Sequence, residues 1–277
     1  MPHLLTPNNT SPLPFLKWAG GKRWLVERFP HYFTIKYHRY IEPFLGSGAV
    51  FFRMRPKRAI LSDRNQRLIE TYEALRDEHC AVKNLLYRYD CLHSVDHYYK
   101  VRSQKLRSRA ARAAQLIYLN RTCWNGLYRV NRQGTFNVPI GTKTKVVLES
   151  DAFDEVAELL SGVTLRTCDF AESFSGAGRG DFVFVDPPYT VKHDNNGFIK
   201  YNEGLFSWAD QIRLRDCIEA AIGRGANVLL TNAYHPSVRA LYKHIGEHEK
   251  VRRASVIAAS ADNRRECYEL VVKCFQK

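Results

Sequence analysis

The chain has 277 residues, enough for one large domain or two small ones, and its 45% hydrophobic and 12% aromatic content excludes a disordered or fibrous protein. With 42 basic against 28 acidic side chains the net charge is +14, which points to a polyanionic partner. Seven cysteines without a C-x-x-C pair argue against a disulfide framework or zinc knuckle, and no apolar run approaches the roughly 20 residues that span a bilayer.

Residues 1–14 carry prolines, asparagines and hydroxyl side chains and read as a flexible tail without signal-peptide character. The stretch Phe15-Leu16-Lys17-Trp18-Ala19-Gly20-Gly21-Lys22 follows, then a short helix predicted over 23–29. Its paired glycines admit close backbone approach, Trp18 offers a stacking face and Lys22 a cation at a helix start.

Residues 40–52 predict strand, glycine turn, helix, with Glu42 closing the strand ahead of Pro43-Phe44-Leu45-Gly46-Ser47-Gly48. The third glycine of the dinucleotide fingerprint is missing, which disfavours a nucleotide-dependent dehydrogenase. Residues 59–65 form a second short strand ending in Asp63, 21 positions after Glu42. That spacing sets a carboxylate at the tip of a neighbouring strand, where it can accept both hydroxyls of a ribose. The alternative is an N-cap, since 66–76 has helical character.

From residue 77 to 148 charge and helix formers increase, and 101–119 reads as one long helix. Arg102, Lys105, Arg107, Arg109 and Arg112 on it fit a phosphate-tracking surface, or a solvated face. Residues 118–141 then mix aromatics, amides and arginines with three glycines, the chemistry of a segment that reads base edges; an exposed polar hairpin is the plainer alternative.

Sheet-and-helix alternation resumes with a helix over 151–160 and a strand over 163–167. Phe182 to Val185 has the length and apolar content of a strand buried on both faces, and polar chemistry begins at its end in Asp186-Pro187-Pro188-Tyr189. Two prolines remove two amide donors and leave a rigid wall of acceptors beside an aromatic ring. That wall complements an exocyclic amine on a planar base.

Residues 193–206 read as a loop in which Phe198, Tyr201 and Phe206 either close over a base or pack. A helix capped by Ser207 covers 208–222, and 227–231 is another buried strand. Residues 251–258 and 266–275 read as an antiparallel pair around the basic run Asp262-Asn263-Arg264-Arg265. No metal site is expected: Gly246 interrupts the spacing of His244 and His248, and no third ligand is evident.

In this order FLKWAGGK, EPFLGSG, an acidic strand tip, NRxxxNGLxRxNxxGxFNVPxG and VDPPY resemble the Dam-type N6-adenine DNA methyltransferases from Phe15 to about Phe275. The resemblance implies an α/β, Rossmann-like S-adenosylmethionine-dependent methyltransferase sheet (15–76 and 149–277) with an inserted, mainly helical target-recognition lobe (77–148). It implies S-adenosyl-L-methionine as cofactor and double-stranded DNA as partner. A cognate restriction nuclease is a second candidate partner, and a cytoplasmic, nucleoid-associated monomer of bacterial or phage origin is expected.

By the same resemblance Trp18, Lys22, Glu42, Phe44, Gly46, Gly48, Asp63 and Asp186 would serve the cofactor. Asp186 and Pro187 would hold the target amine and Tyr189 would stack on a flipped adenine. Lys17, Trp124, Asn125, Leu127, Arg129, Asn131 and Pro139 would meet DNA, with Arg129 reading guanine in GATC and Trp124 wedging into the duplex. The same chemistry on cytosine N4, an RNA base or a protein glutamine, or a non-catalytic nucleic-acid-binding protein, are the alternatives.

Overall fold

The computed structural model describes residues 12–131, 133–191, 206–253 and 267–276. Among these, one sheet holds seven strands: β1 (Arg39–Glu42), β2 (Ala59–Asp63), β3 (Val163–Thr167), β4 (Asp181–Val185), β5 (Asn227–Ala233), β6 (Glu247–Arg253) and β7 (Cys267–Cys274). Their spatial order is β3-β2-β1-β4-β5-β7-β6. The first five in that order run parallel, while β7 lies antiparallel between β5 and β6.

β4 is buried along its whole length because helices cover both faces of the sheet. Its side chains divide by period two. Phe182 and Phe184 enter the core shared with α3 (Gln66–Leu92) and α5 (Arg109–Thr122). Val183 and Val185 enter the opposite core, against Leu214 and Ile218 of α8 (Trp208–Gly223). From β1 the chain crosses to β2 on one side, and from β4 it crosses to β5 on the other. This reversal opens a crevice beyond the carboxyl ends of β1 and β4, where Glu42 and Asp186 stand.

Local sequence sets the helix starts. α1 (Arg23–Arg28) follows Lys22, and α2 (Ala49–Met54) follows Gly48, whose φ of 64° suits glycine. Asn65 caps α3 by accepting from the Leu68 amide, so the N-cap is not Asp63. Ser207 and Asp210 cap α8 reciprocally. α6 (Phe153–Leu160) and α7 (Phe170–Phe174) flank β3, and α9 (Pro236–Leu241) follows β5.

α3 has 27 residues, roughly 40 Å of helix, and continues past residue 77 with a kink at Glu78. The single helix predicted over 101–119 is instead two, α4 (Val95–Ser103) and α5. Ser108 caps α5 by accepting from the Ala111 amide, and Gln115 donates to the carbonyls of Val101 and Gln104, holding the break closed. Lys105 and Arg107 therefore lie in the link. Arg109 pairs with Glu78 at 2.7 Å and Arg112 with Glu70 at 3.0 Å, so these two cations serve α3 rather than an open phosphate track.

Phe206 is buried against Phe44 and Phe170, a packing residue. Phe198, Tyr201 and the run 262–265 lie outside the described residues. No described helix is long and apolar enough to cross a membrane.

Arg121, at the end of α5, locks helical and sheet regions together. Its guanidinium donates to both Asp151 oxygens at 2.6 Å, to the Val146 carbonyl at 2.7 Å and to the Phe15 carbonyl at 3.0 Å. Both charged side chains are almost fully buried. Arg121→Ala would strand the Asp151 carboxylate, so urea unfolding is expected to show a loss of about 3–5 kcal/mol.

Candidate active site

The site assembles at the carboxyl ends of β4, β1 and β2. β4 stops at Val185 because Pro187 and Pro188 follow, which leaves Asp186 at the crevice. Its Oδ1 accepts from Lys22 Nζ at 2.9 Å and from Thr231 Oγ1 at 2.7 Å. Burial pushes the Asp186 carboxyl up from its ordinary range, the Lys22 charge opposes that shift, and Glu269 adds to it.

Lys22 is only 3% exposed, so its ammonium is held by protein groups rather than by water. Besides Asp186, Nζ donates to the Gly20 carbonyl at 2.7 Å and faces Glu269 Oε2 at 3.5 Å. It also stands 4.9 Å from the centre of the Tyr189 ring. The Tyr189 hydroxyl donates to the same Glu269 oxygen at 2.8 Å. Burial first, then the Asp186 and Glu269 charges, push that phenol well above its ordinary range. The other Glu269 oxygen accepts from Arg253 at 3.2 Å.

Sequence reasoning missed Thr231, Arg253 and Glu269. Glu269 falls between Tyr268 and Leu270 in an alternating strand, a pattern that marks it as solvent-facing. The signal lay in tertiary packing: β7 sends Val271 into one core and Leu270 and Val272 into the other, so both of its faces are covered.

On the neighbouring strands, Glu42 is buried and accepts from the Tyr40 hydroxyl at 2.8 Å. Burial raises its carboxyl well above the usual range, against the Tyr40 bond and with a further push from Asp186. Asp63 accepts the amides of Asn65 at 2.9 Å and Gly46 at 3.2 Å, and burial outweighs these bonds to raise its carboxyl too. Gly46 has φ of 50°, and a Cβ there would lie 2.8 Å from Trp18 Cδ1. The absence of a side chain is what lets the indole lie against the turn. Gly48, at the start of α2, is crowded in the same way by the Tyr72 hydroxyl. Phe44 points away from this polar group and stacks on Phe170 at 5.5 Å.

The structure thus brings Trp18, Lys22, Glu42, Gly46, Asp63, Asp186 and Tyr189 to one end of the sheet. Three carboxyls and one buried ammonium can orient a hydroxylated, cationic ligand and accept hydrogen bonds from an amine.

The predicted DNA-reading residues stand on a neighbouring hairpin, pinned by bridges Cys123–Ile140 and Val130–Phe136. Trp124 is 54% exposed, beside Asn125 at φ 55°. Arg129 is exposed and donates to Asn137 at 3.0 Å, while Leu127 is half-buried. Asn131 accepts the amides of Gln133 and Thr135, a turn-forming duty, and the exposed Pro139 accepts the Trp124 amide through its carbonyl. Lys17 lies on the surface, and desolvation of its ammonium, then neighbouring Lys143, lower its pKa. Hairpin and crevice meet where Tyr128 stacks on Trp18 at 5.3 Å.

The family model for D12 class N6 adenine-specific DNA methyltransferases matches residues 18–256. The chain is 33% identical to the Type II methyltransferase M1.LlaDCHI of Lactococcus lactis subsp. cremoris over 98% of both chains. It is 34% identical to the Type II methyltransferase M.MjaIII of Methanocaldococcus jannaschii over 94% of this chain and 98% of that one. With the DNA adenine methylase of Escherichia coli K12 it shares 31% identity over 93% of each. The ordered strand-end carboxyls, the Asp-Pro-Pro-Tyr turn and these matches lead to one assignment: the chain belongs to the D12 class of N6 adenine-specific DNA methyltransferases.

Proposed function

We propose that the protein transfers a methyl group from S-adenosyl-L-methionine to N6 of an adenine flipped out of duplex DNA, with GATC as its site. The observation that carries this reading is Asp186, a partly exposed carboxylate at the end of an otherwise buried strand, beside the Pro187 carbonyl and the Tyr189 ring. An exocyclic amine with two N–H donors on a flat ring finds two acceptors and a stacking face there.

The residues present fit the proposed donor. Asp63 offers acceptors for hydroxyls at the strand tip beside the Gly46 turn, next to the strand end where Glu42 stands. Bound there, the donor supplies an electrophilic methyl carried on a sulfonium. Asp186 and Pro187 hold the two N6 protons in hydrogen bonds and aim the nitrogen lone pair out of the ring plane. Asp186 then takes the surplus proton from the methylated nitrogen on its way to water.

Trp124 is the proposed wedge and Arg129 the proposed reader of guanine, with Leu127 and Pro139 against thymine methyls, Asn125 at the target pair and Lys17 toward the outer guanine. Their support is the hairpin geometry: an exposed indole on a left-handed turn, and an exposed guanidinium oriented by Asn137. The inserted segment 77–148 is proposed as the target-recognition lobe.

Radiolabelled transfer to paired duplexes, one with GATC and one with it scrambled, tests the reading. Label on N6-methyladenine in the first alone is expected; label on both removes the Arg129 assignment, and label on neither removes the proposed reaction. Asp186→Ala should lower kcat by at least on the order of 10²–10³-fold while duplex affinity, read by gel shift, stays within about twofold. Gly46→Ala, strained at positive φ and pressed against Trp18, should weaken donor binding in calorimetry by roughly tenfold.

A further inference from the structure

Lys22 stands between two carboxylates, the partly exposed Asp186 and the buried Glu269, and the proposed reaction needs only one of them. Asp186 Oδ1 already carries two hydrogen bonds, from Lys22 at 2.9 Å and Thr231 at 2.7 Å. An amine that docks on this oxygen therefore competes with an ammonium already held there. Glu269 Oε2 lies 3.5 Å from that ammonium, so a shift well under a bond length would make it the main partner.

We propose that Glu269 is a positioning residue which takes over Lys22 when the target amine docks, releasing Asp186, and which holds Tyr189 by its hydroxyl throughout. The inference rests on the reading of Asp186 as the acceptor for that amine.

Three features support it. Glu269 is 3% exposed on an interior strand, a place where a carboxylate is stable only with partners. Its partners are functional neighbours: Tyr189 on one oxygen, with Lys22 beside it, and Arg253 of β6 on the other. The four charges Lys22, Arg253, Asp186 and Glu269 balance, so moving the ammonium between acids leaves no buried charge uncompensated.

The pH dependence has a definite sign. Asp186 faces Lys22 from the segment before α1, Glu42 from β1, Thr231 from β5 and Glu269 from β7, with Tyr189 beside it; Arg253 reaches the group through Glu269, and Asp63 through Glu42. Burial raises the Asp186 carboxyl and the Glu269 charge raises it further. An ionised Asp186 is needed, so activity falls as pH drops through its pKa. Neutralising Glu269 removes a like charge and leaves Lys22 on Asp186, which moves that limb to lower pH while slowing transfer on the plateau.

Glu269→Gln keeps an acceptor for Tyr189 and removes the charge. Transfer to a GATC duplex should show kcat down by at least about tenfold with KM for DNA within twofold, and the acid limb displaced to lower pH. In the Lys22→Met background the same change should cost less than about twofold, because nothing remains to hand over. Carboxyl 13C NMR on the protein without DNA or donor reads Asp186 directly, assigned with Asp186→Asn. Its midpoint should fall in Glu269→Gln and rise in Arg253→Gln, which frees Glu269 to draw Lys22 away.

Equal costs in both backgrounds, or an Asp186 midpoint indifferent to both substitutions, would overturn the proposal. If wild-type protein labels no adenine, the proposed reaction fails instead, and the NMR arm still reports on Glu269. Should Glu269→Gln not fold, the Arg253→Gln shift decides: a rise supports the handover, and no change or a fall sinks it.

Discussion

One ammonium, Lys22, is shut away from water and must be neutralised by protein groups, and much of the sheet's arrangement answers that requirement. Asp186 comes from the strand that starts the second half of the sheet, Thr231 from the next strand and Glu269 from the one beyond. Only the order β4-β5-β7 brings those three side chains to one point. With β7 at the edge, β6 would not cover it, and Arg253 would not reach the far oxygen of Glu269. An antiparallel strand set inside a parallel sheet thus has a local chemical consequence: it delivers a second acid to a lysine that already has one.

The same end of the molecule is bound to α5 through two buried side chains of that helix. Asn120 accepts the Lys17 amide and donates to the Lys17 and Gly126 carbonyls, standing in for a strand partner on both segments. Arg121, the next residue, joins Phe15 to the return of the chain at Val146 and Asp151. The segment that carries Trp18 and Lys22 therefore takes its position from α5 as much as from the sheet. Crevice and hairpin are held in register by adjacent residues on one helix.

How much of this was legible in the sequence follows from which forces act locally. β3 was read to its ends, and β4 nearly so, because apolar runs between turn residues report burial directly. The placement of Asp186, Glu42 and Asp63 at strand ends is legible because acids there break an apolar pattern at a visible point. The break between α4 and α5 was missed, since its cause is a side chain: Gln115 satisfies carbonyls at the end of the preceding helix. Glu269 was missed for a deeper reason. Alternation within one strand says which residues share a face, and only the layers packed on that face decide whether it is wet.

The stack of Trp18 on Tyr128 shows what this architecture does with its aromatic residues. Trp18 is packed from one side by a glycine turn that tolerates no Cβ and from the other by the hairpin, so the indole is a shared wall rather than the property of either region. A change that reorients the hairpin at its base must move Tyr128, and Tyr128 cannot move without altering the face that Trp18 turns to the glycine turn. Because packed aromatic pairs resist small displacements through many short contacts, the wall transmits such a change instead of absorbing it. The buried Asn120 bonds to Lys17 act in parallel, one residue away in the chain, and fix the backbone that carries the indole. Two independent links of different chemistry, one dispersive and one hydrogen-bonded, thus converge on the dipeptide Lys17-Trp18, which makes that dipeptide the joint between the carboxyl-lined crevice and the hairpin.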